Sequence, residues 1–396
     1  MAGRRLQRIQ SGAALLIFLI LLVTAALTYV VNSLTPEMIE ARRTQKTSAA
    51  LVQARDALIG YSVKETPVLD AGYLLVPDTG WTSTPEGNSE GTLGAMNVSV
   101  MGKLPWKTLG VPPLRDGEGE CLWYVVSGRF KINPKTTEAF NWDTLGQIDI
   151  IDNNGNLLAN NVAALIAAPG AVRDAQDRAI ADPSLIHCGG NYGARNYLDP
   201  YNSSDALSGQ INYFAGSLVA PDTSNKQFVQ ANNDHYNDRF LLITVDAIFR
   251  PIIRRNDFAS LISSLLINTG FESHLQVTPI IGAKGTDHID CNQAPNPGFC
   301  NNWKEMLFLT ELPTPSSITI DALPSPVCTR VLIFSGQKTA WQTRVTVGDK
   351  ANKGNYLEDP NFSHFSTPIA LEVDFIGRSS FDANNPSADV IKCIPP

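Results

Sequence analysis

Residues 13–31 read AALLIFLILLVTAALTYVV, 19 consecutive positions without a charge. A helix needs about 20 apolar residues to cross a hydrocarbon core of ~30 Å, so this run just meets the length of a membrane span. Nothing later in the 396-residue chain looks like it. Before it stand Arg4, Arg5 and Arg8 with no acidic residue, an asymmetry that keeps the N-terminus cytoplasmic and predicts export of the residues beyond the span. A cleaved secretory signal is the competing reading, because it too begins with a basic region. It requires a shorter apolar core and a break after it. Here the apolar run reaches Val31 and helical patterning resumes almost at once.

Working outward, residues 35–61 place apolar or small side chains at Ala50, Leu51, Ala54, Ala57, Leu58 and Tyr61, the i, i+3, i+4 spacing of one helical face. Gln45, Lys46, Gln53, Arg55 and Asp56 fall on the other face. The spacing predicts one helix over 13–61, 49 residues and about 73 Å at 1.5 Å per residue, kinked or loosened near Pro36.

Composition sets the remaining bounds. With 43% apolar and 17% charged residues the chain is ordinary for globular protein, which excludes collagen-like and wholly disordered classes. Residues 1–61 carry a net charge of +4 and residues 62–396 a net of −11. An acidic body offers no electrostatic footprint to phosphate backbones, so nucleic acid is not expected as a partner.

The N-terminal layout resembles the type IV pilin and type II secretion pseudopilin superfamily. Its precursors carry a short basic leader ending in Gly, then an uncharged helix whose second half packs under a globular head. The resemblance implies a leader over 1–12, cleavage by prepilin peptidase between Gly12 and Ala13, and methylation of the new amine. Most major subunits of the family have Glu as fifth mature residue, which is Ile17 here. In those subunits the Glu neutralises a neighbour's amine in the apolar filament core, where an unpaired charge is costly. Minor, tip-type subunits share the departure, and the Gly-Ala-Ala-Leu start is similar to theirs. The alternative is a single-pass inner-membrane protein that keeps its anchor and carries a periplasmic binding or hydrolytic domain.

Asp116-Gly117-Glu118-Gly119 is a turn leading into the β-branched and aromatic run Glu120–Val126. It resembles the Asp-x-x-Gly-x-x-Tyr-like turn and strand where a pseudopilin sheet meets the long helix. A weaker resemblance, over about residues 55–255, is to large prepilin-like proteins of proteobacteria. It rests on Leu104–Gly110, Leu114–Gly117, Leu122–Tyr124, Ala168-Pro169-Gly170 and Asn237-Asp238-Arg239, and it implies no particular activity.

Residues 64–100 read as a long loop with short strands. Residues 147–168 read as a hairpin, QIDII and LLANNVAALIAA about a DNNGN turn. Asp149, Asp152, Asn154 and Asn156 suggest a calcium loop, but that motif needs a sixth-position Gly and a bidentate twelfth-position acid, and no acid follows Asn156 until Asp174, so a turn is favoured. A buried strand is expected at 240–246, then a helix capped by Asp246, split near Pro251 or Asn256 and ending at Asn268-Thr269-Gly270. From 279 to the end there are 12 prolines in 118 residues. Strands are expected there at Ser317–Ile320, Val331–Phe334, Thr343–Val347 and Ala370–Phe375. The expected fold is α+β. A long N-terminal helix packs on an antiparallel pilin-like head (62–280) with a helical insertion, followed by a β-rich section (281–396).

All six cysteines, Cys121, Cys188, Cys291, Cys300, Cys328 and Cys393, lie beyond the apolar run. An even number on the exported side fits three disulfides, for which 15 pairings exist. The expected set joins Cys291 to Cys300, Cys328 to Cys393 and Cys121 to Cys188. Zinc is the rival, but no Cys-x-x-Cys occurs. Among His187, His235, His274, His288 and His364, the Asp287-His288-Ile289-Asp290 cluster is the one that suggests a metal, and a solvated loop is favoured. No nucleophile elbow, His-Glu-x-x-His or phosphate loop is present. The sequence therefore predicts no catalytic residue, no metal and no cofactor. The resemblance implies a non-enzymatic minor pilin or pseudopilin, anchored in the inner membrane with its head in the periplasm or at a filament tip. Its expected partners are other pilin subunits, prepilin peptidase and membrane lipid.

Overall fold

Two helices precede the first strand. In the computed structural model, which describes residues 7–32, 35–64, 71–80, 84–173, 176–199, 211–214, 221–233, 235–267, 282–365 and 375–396, α1 spans Gln7–Asn32 and α2 spans Pro36–Lys64. The single helix expected over 13–61 is thus two. Pro36 opens α2, the position where a missing N–H costs nothing because the first turn leaves it unpaired anyway. The window Gly12–Tyr29 of α1 is apolar enough to span a membrane, and none of it is buried against the rest of the protein. In α2 the buried residues are Thr47, Ala50, Leu51, Ala54, Leu58 and Ser62; of the expected face Ala57 and Tyr61 are only half-buried, and Thr47 one turn earlier and Ser62 join it.

That face lies on an antiparallel sheet of order β1-β2-β5-β7, formed by Val100–Lys103, Trp123–Val126, Ala164–Ala168 and Arg239–Ile243. Contacts run from α2 to β5, to β7 and to α3 (Val245–Ile252). Ala50 and Ala54 let the helix axis approach β5, whose five residues are all buried. Helix on one face demands a second layer on the other. A smaller sheet of order β4-β3-β6 supplies it, from Leu157–Val162, Ile148–Ile151 and Lys226–Val229, with β3 and β6 parallel. Trp123, Val125, Leu165 and Ala167 of the first sheet meet Ile148, Ile150 and Phe228 of the second. The stretch read as one strand, 157–168, is therefore two. It breaks after Val162, so that β4 stays with β3 while β5 inserts between β2 and β7.

A third, antiparallel sheet has order β11-β10-β9-β8, from Val390–Ile394, Leu323–Phe334, Leu307–Ile320 and Ala283–Lys284. One hydrophobic core runs from Ala50 of α2 through α3 and α4 (Asn256–Ile267) to Ile394. At its centre Trp142 meets Trp303 edge-on at 4.6 Å, and Phe258, Phe334 and Phe381 surround the pair.

Three further expectations are corrected. The buried strand expected at 240–246 ends at Ile243, and only that residue of it is fully buried. Thr244, not Asp246, caps α3. Its hydroxyl accepts the Ala247 N–H, while Asp246 sits in the first turn and pairs with Arg250. Residues 343–347 are not a strand. Arg344 turns inward and is completely buried, and Thr346 then starts a short helix, Val347–Ala351, through a capping box with Asp349. The helix stop at 268–270 and residues 370–374 of the last expected strand lie outside the described residues.

Disulfides join Cys121 to Cys188, Cys291 to Cys300 and Cys328 to Cys393. Arg344 Nη1 meets Asp143 Oδ2 at 3.1 Å, Nε donates to the Asn355 carbonyl, and the guanidinium covers the Tyr356 ring at 4.2 Å. This pair bolts the loop after β10 to the segment before β3. Removing one partner strands a buried charge, so Arg344→Ala should cost about 3–5 kcal/mol in denaturant unfolding, and Arg344→Met with Asp143→Leu should recover most of it. Loop closure also ranks the disulfides. Replacing Cys328 and Cys393 by Ser, which opens a separation of 65 residues, should cost about 4 kcal/mol by loop entropy. Replacing Cys291 and Cys300, 9 residues apart, should cost about 2.7 kcal/mol on the same measurement.

Candidate functional site at the helix–head junction

Three sequence segments, 114–117, 168–170 and 237–239, are far apart in the chain and meet beside the first half of α2. Asp116 organises them. It is almost fully buried. One carboxylate oxygen accepts the Glu118 and Glu120 N–H groups, both at 2.9 Å, and closes the turn before β2. The other accepts the Gly170 N–H at 2.9 Å, just past the end of β5. An ionised acceptor makes each bond about twice as strong as its neutral counterpart.

The turn so fixed presents Gly117 to the helix. Its N–H donates to Thr47 Oγ1 at 2.8 Å, and that hydroxyl donates to the Arg43 carbonyl one turn back at 2.9 Å. A Cβ at Gly117 would overlap the backbone of Arg43, so glycine here is required by close approach. Arg43 then pairs with Glu118 at 2.9 Å, and Glu40 with Arg239 of β7 at 3.7 Å. On the far side Gly170 sits at φ +66, where a Cβ would crowd Asn237, and Asn237 Nδ2 donates to the Ala171 carbonyl at 3.0 Å.

Behind the junction lies a feature the sequence did not signal. Asp199 and Asp238 are both buried and hold one another's backbone. Asp238 Oδ2 accepts the Asp199 N–H at 2.8 Å, while Asp199 Oδ2 accepts the N–H groups of Asn237 and Asp238 at 2.6 and 2.8 Å. Burial pushes both carboxyls up, Asp199 to about 6, and the neighbouring carboxylate raises Asp238 further. Asp238 lies within the 237–239 segment, but its partner is 39 residues away, and no spacing rule connects them.

The space between α2 and these segments is a cleft of about 310 Å³ whose lining includes Glu40, Arg43, Thr47, Gly117, Arg173 and Arg239. The Thr47 hydroxyl is occupied by main chain on both sides. The cleft's chemistry is that of a joint: it fixes how a helix leaves a sheet.

The other candidate residues are dispersed. Asp152 accepts the N–H groups of Asn154 and Asn156, each at 2.8 Å, so the DNNGN stretch is a turn closed by its own Asp. Asp149 bonds instead to Asn161 and Asn225. His187 pairs with Glu86 at 3.1 Å beside the Cys121–Cys188 bridge, and His364 stacks on Phe375 at 4.2 Å. Asp290 bonds to Asn292. His274 and the side chains of Asp287 and His288 lie outside the described residues. Among those described, no group of three or more His, Cys, Asp or Glu is placed to hold a metal. Gly12 and Ala13 lie exposed within α1, which continues through them without a break.

Comparison of the chain with family models, with curated proteins and with solved structures finds no match.

Asp116→Ala should cost about 3 kcal/mol in denaturant unfolding, because three N–H groups lose a charged acceptor. Gly117→Val should cost about 2–3 kcal/mol by forcing the turn off α2, with faster amide exchange over residues 43–51. Glu118→Ala, which removes an exposed ion pair, should change stability by under about 0.5 kcal/mol on the same measurement.

Proposed function

We propose that this chain is a non-enzymatic structural subunit of a filament, a large minor pilin or pseudopilin of the tip type, stored in the inner membrane and assembled through α1. The observation that carries the reading is α1 itself. It is an apolar helix, uncovered along its whole length from Gly12 to Tyr29, preceded by a leader with three arginines. It is followed by a second helix that is part of the head's own core. A helix of 18 residues at 1.5 Å rise spans about 27 Å, close to a hydrocarbon thickness of ~30 Å.

The mechanism is an exchange of contacts. In the bilayer α1 is solvated by lipid, and the arginines of the leader hold its N-terminus at the cytoplasmic face. Cleavage after Gly12 removes that charge. The helix then trades lipid for other apolar helices, with Ala13, Ala14, Ala25 and Ala26 allowing close approach. The junction at Asp116 and Gly117 gives the head a fixed attitude on α2. With Ile17 in place of an acid, the subunit needs no partner amine above it, which suits a terminal position. The head then serves adhesion, cargo contact or initiation of assembly.

Intact-mass measurement of the purified protein tests this directly. The expected product lacks residues 1–12 and carries a methylated Ala13, and Gly12→Val retains the full chain. An intact Met1 in wild type, unaffected by loss of prepilin peptidase, would instead support a bitopic protein whose anchor is permanent.

A further inference from the structure

A cleft of about 540 Å³ opens beside the third sheet, with no residue of α2 in its lining. That volume falls in the range of small-molecule sites. One wall is the two-residue turn between β9 and β10, where Asp321 and Ala322 sit at φ +52 and +60. Glycine is the usual residue in that region. Ala322 is exposed and gains no burial from the strain, and strained backbone held at a cleft wall points to use. The walls are tied to one another. The Asp321 N–H donates to the Gly377 carbonyl at 2.9 Å, and the Asp321 carboxylate accepts the Ser379 N–H at 3.2 Å. At the floor, buried Asn361 accepts the Ile376 N–H at 2.9 Å and donates to the Ile376 carbonyl and to Asp389 at 2.7 and 2.8 Å. A cleft fixed in this way loses little freedom when it binds.

Its recognition groups are only half used. Asp321, Glu358 and Asp359 each engage one carboxylate oxygen within the protein, with Ser379, Gln342 and Ser363. The second oxygen of each has no partner among the described residues. Donors stand beside these acceptors. Asn385 gives its carbonyl oxygen to the Ser387 hydroxyl at 3.3 Å, and its amide N–H groups have no partner among the described residues. Arg378 comes no closer than 3.8 Å to Asp382, its ion-pair partner.

We infer that this cleft binds a neutral saccharide. Three carboxylates repel phosphate, sulfate and uronic acids. An organic cation would match the carboxylates but would be repelled by Arg378 and would leave the Asn385 N–H groups without an acceptor. A hydroxyl both donates and accepts, so neighbouring hydroxyls of one sugar ring serve the carboxylates and the two donors together. Ile376, 62% exposed, offers apolar surface to the C–H face of the ring. The cleft is open, so the affinity for a single sugar is weak, with a Kd on the order of 1 mM. The site stands apart from the filament reading, since a permanently anchored chain would carry it unchanged.

The experiment is saturation-transfer NMR on the full chain in a sugar-free amine-oxide detergent. Glucose, galactose, mannose and N-acetylglucosamine are the probes, with glucuronate and spermidine beside them. At least one neutral sugar should take up saturation and titrate in the millimolar range, while glucuronate and spermidine bind at least about 10-fold more weakly. Asp359→Asn and Arg378→Gln alter exposed side chains, so both should melt with wild type, and each should weaken the sugar about 10-fold. The inference is overturned if none of the four sugars takes up saturation. It is equally overturned if either folded variant binds the sugar like wild type, which places the ligand elsewhere. Spermidine binding more tightly than every sugar is a third contrary result, the mark of a cation site.

Discussion

The seating of α2 on the β1-β2-β5-β7 sheet is the constraint on which everything else rests. The two N-terminal helices have opposite surroundings. The window Gly12–Tyr29 touches nothing in the protein, while Ala54 and Leu58 are completely buried. Small residues at 50 and 54 bring the helix onto β5, and Gly117 brings a turn onto the same helix lower down. Both approaches need the absence of side-chain atoms, so both are sensitive to a single added methyl group.

Polar chemistry then fixes what packing alone would leave free to slide. A helix on a sheet can shift along its axis at little hydrophobic cost, because apolar contact is non-directional. The hydrogen bond from Gly117 to Thr47 and the ion pairs from Glu40 and Arg43 set the register. Asp116 makes them possible by holding its turn to the end of β5. The same logic recurs at the other end of the core, where Arg344 and Asp143 lock the loop after β10 to the segment before β3.

How much of this was legible depends on whether the signal was local. The buried face of α2 came from 3.6-residue periodicity, and the separate helices after β7 from Pro251 and Asn256. Segments 116–119, 168–170 and 237–239 were legible as motifs but not as one site, since nothing in their spacing says that three turns 50 to 70 residues apart meet at a helix. Thr343–Val347 misled because its alternation looks like a strand, yet a buried Arg344 and a capping box at Thr346 serve a turn and a helix instead. The split of 157–168 was hidden for a related reason: both halves are strands, and only tertiary pairing decides which sheet each joins. The Asp199–Asp238 pair was invisible, because burial of a charge is a property of the fold and not of its neighbours in the chain.

The central claim is that α1 passes from lipid to other helices, and the face of α1 is where to ask. A photo-reactive amino acid at Leu19, irradiated in cells that are building filaments, should give a covalent adduct with the apolar helix of a second, smaller subunit. That adduct should vanish in the Gly12→Val background. Adducts with lipid alone, identical in both backgrounds, would contradict the account and leave α1 as an anchor.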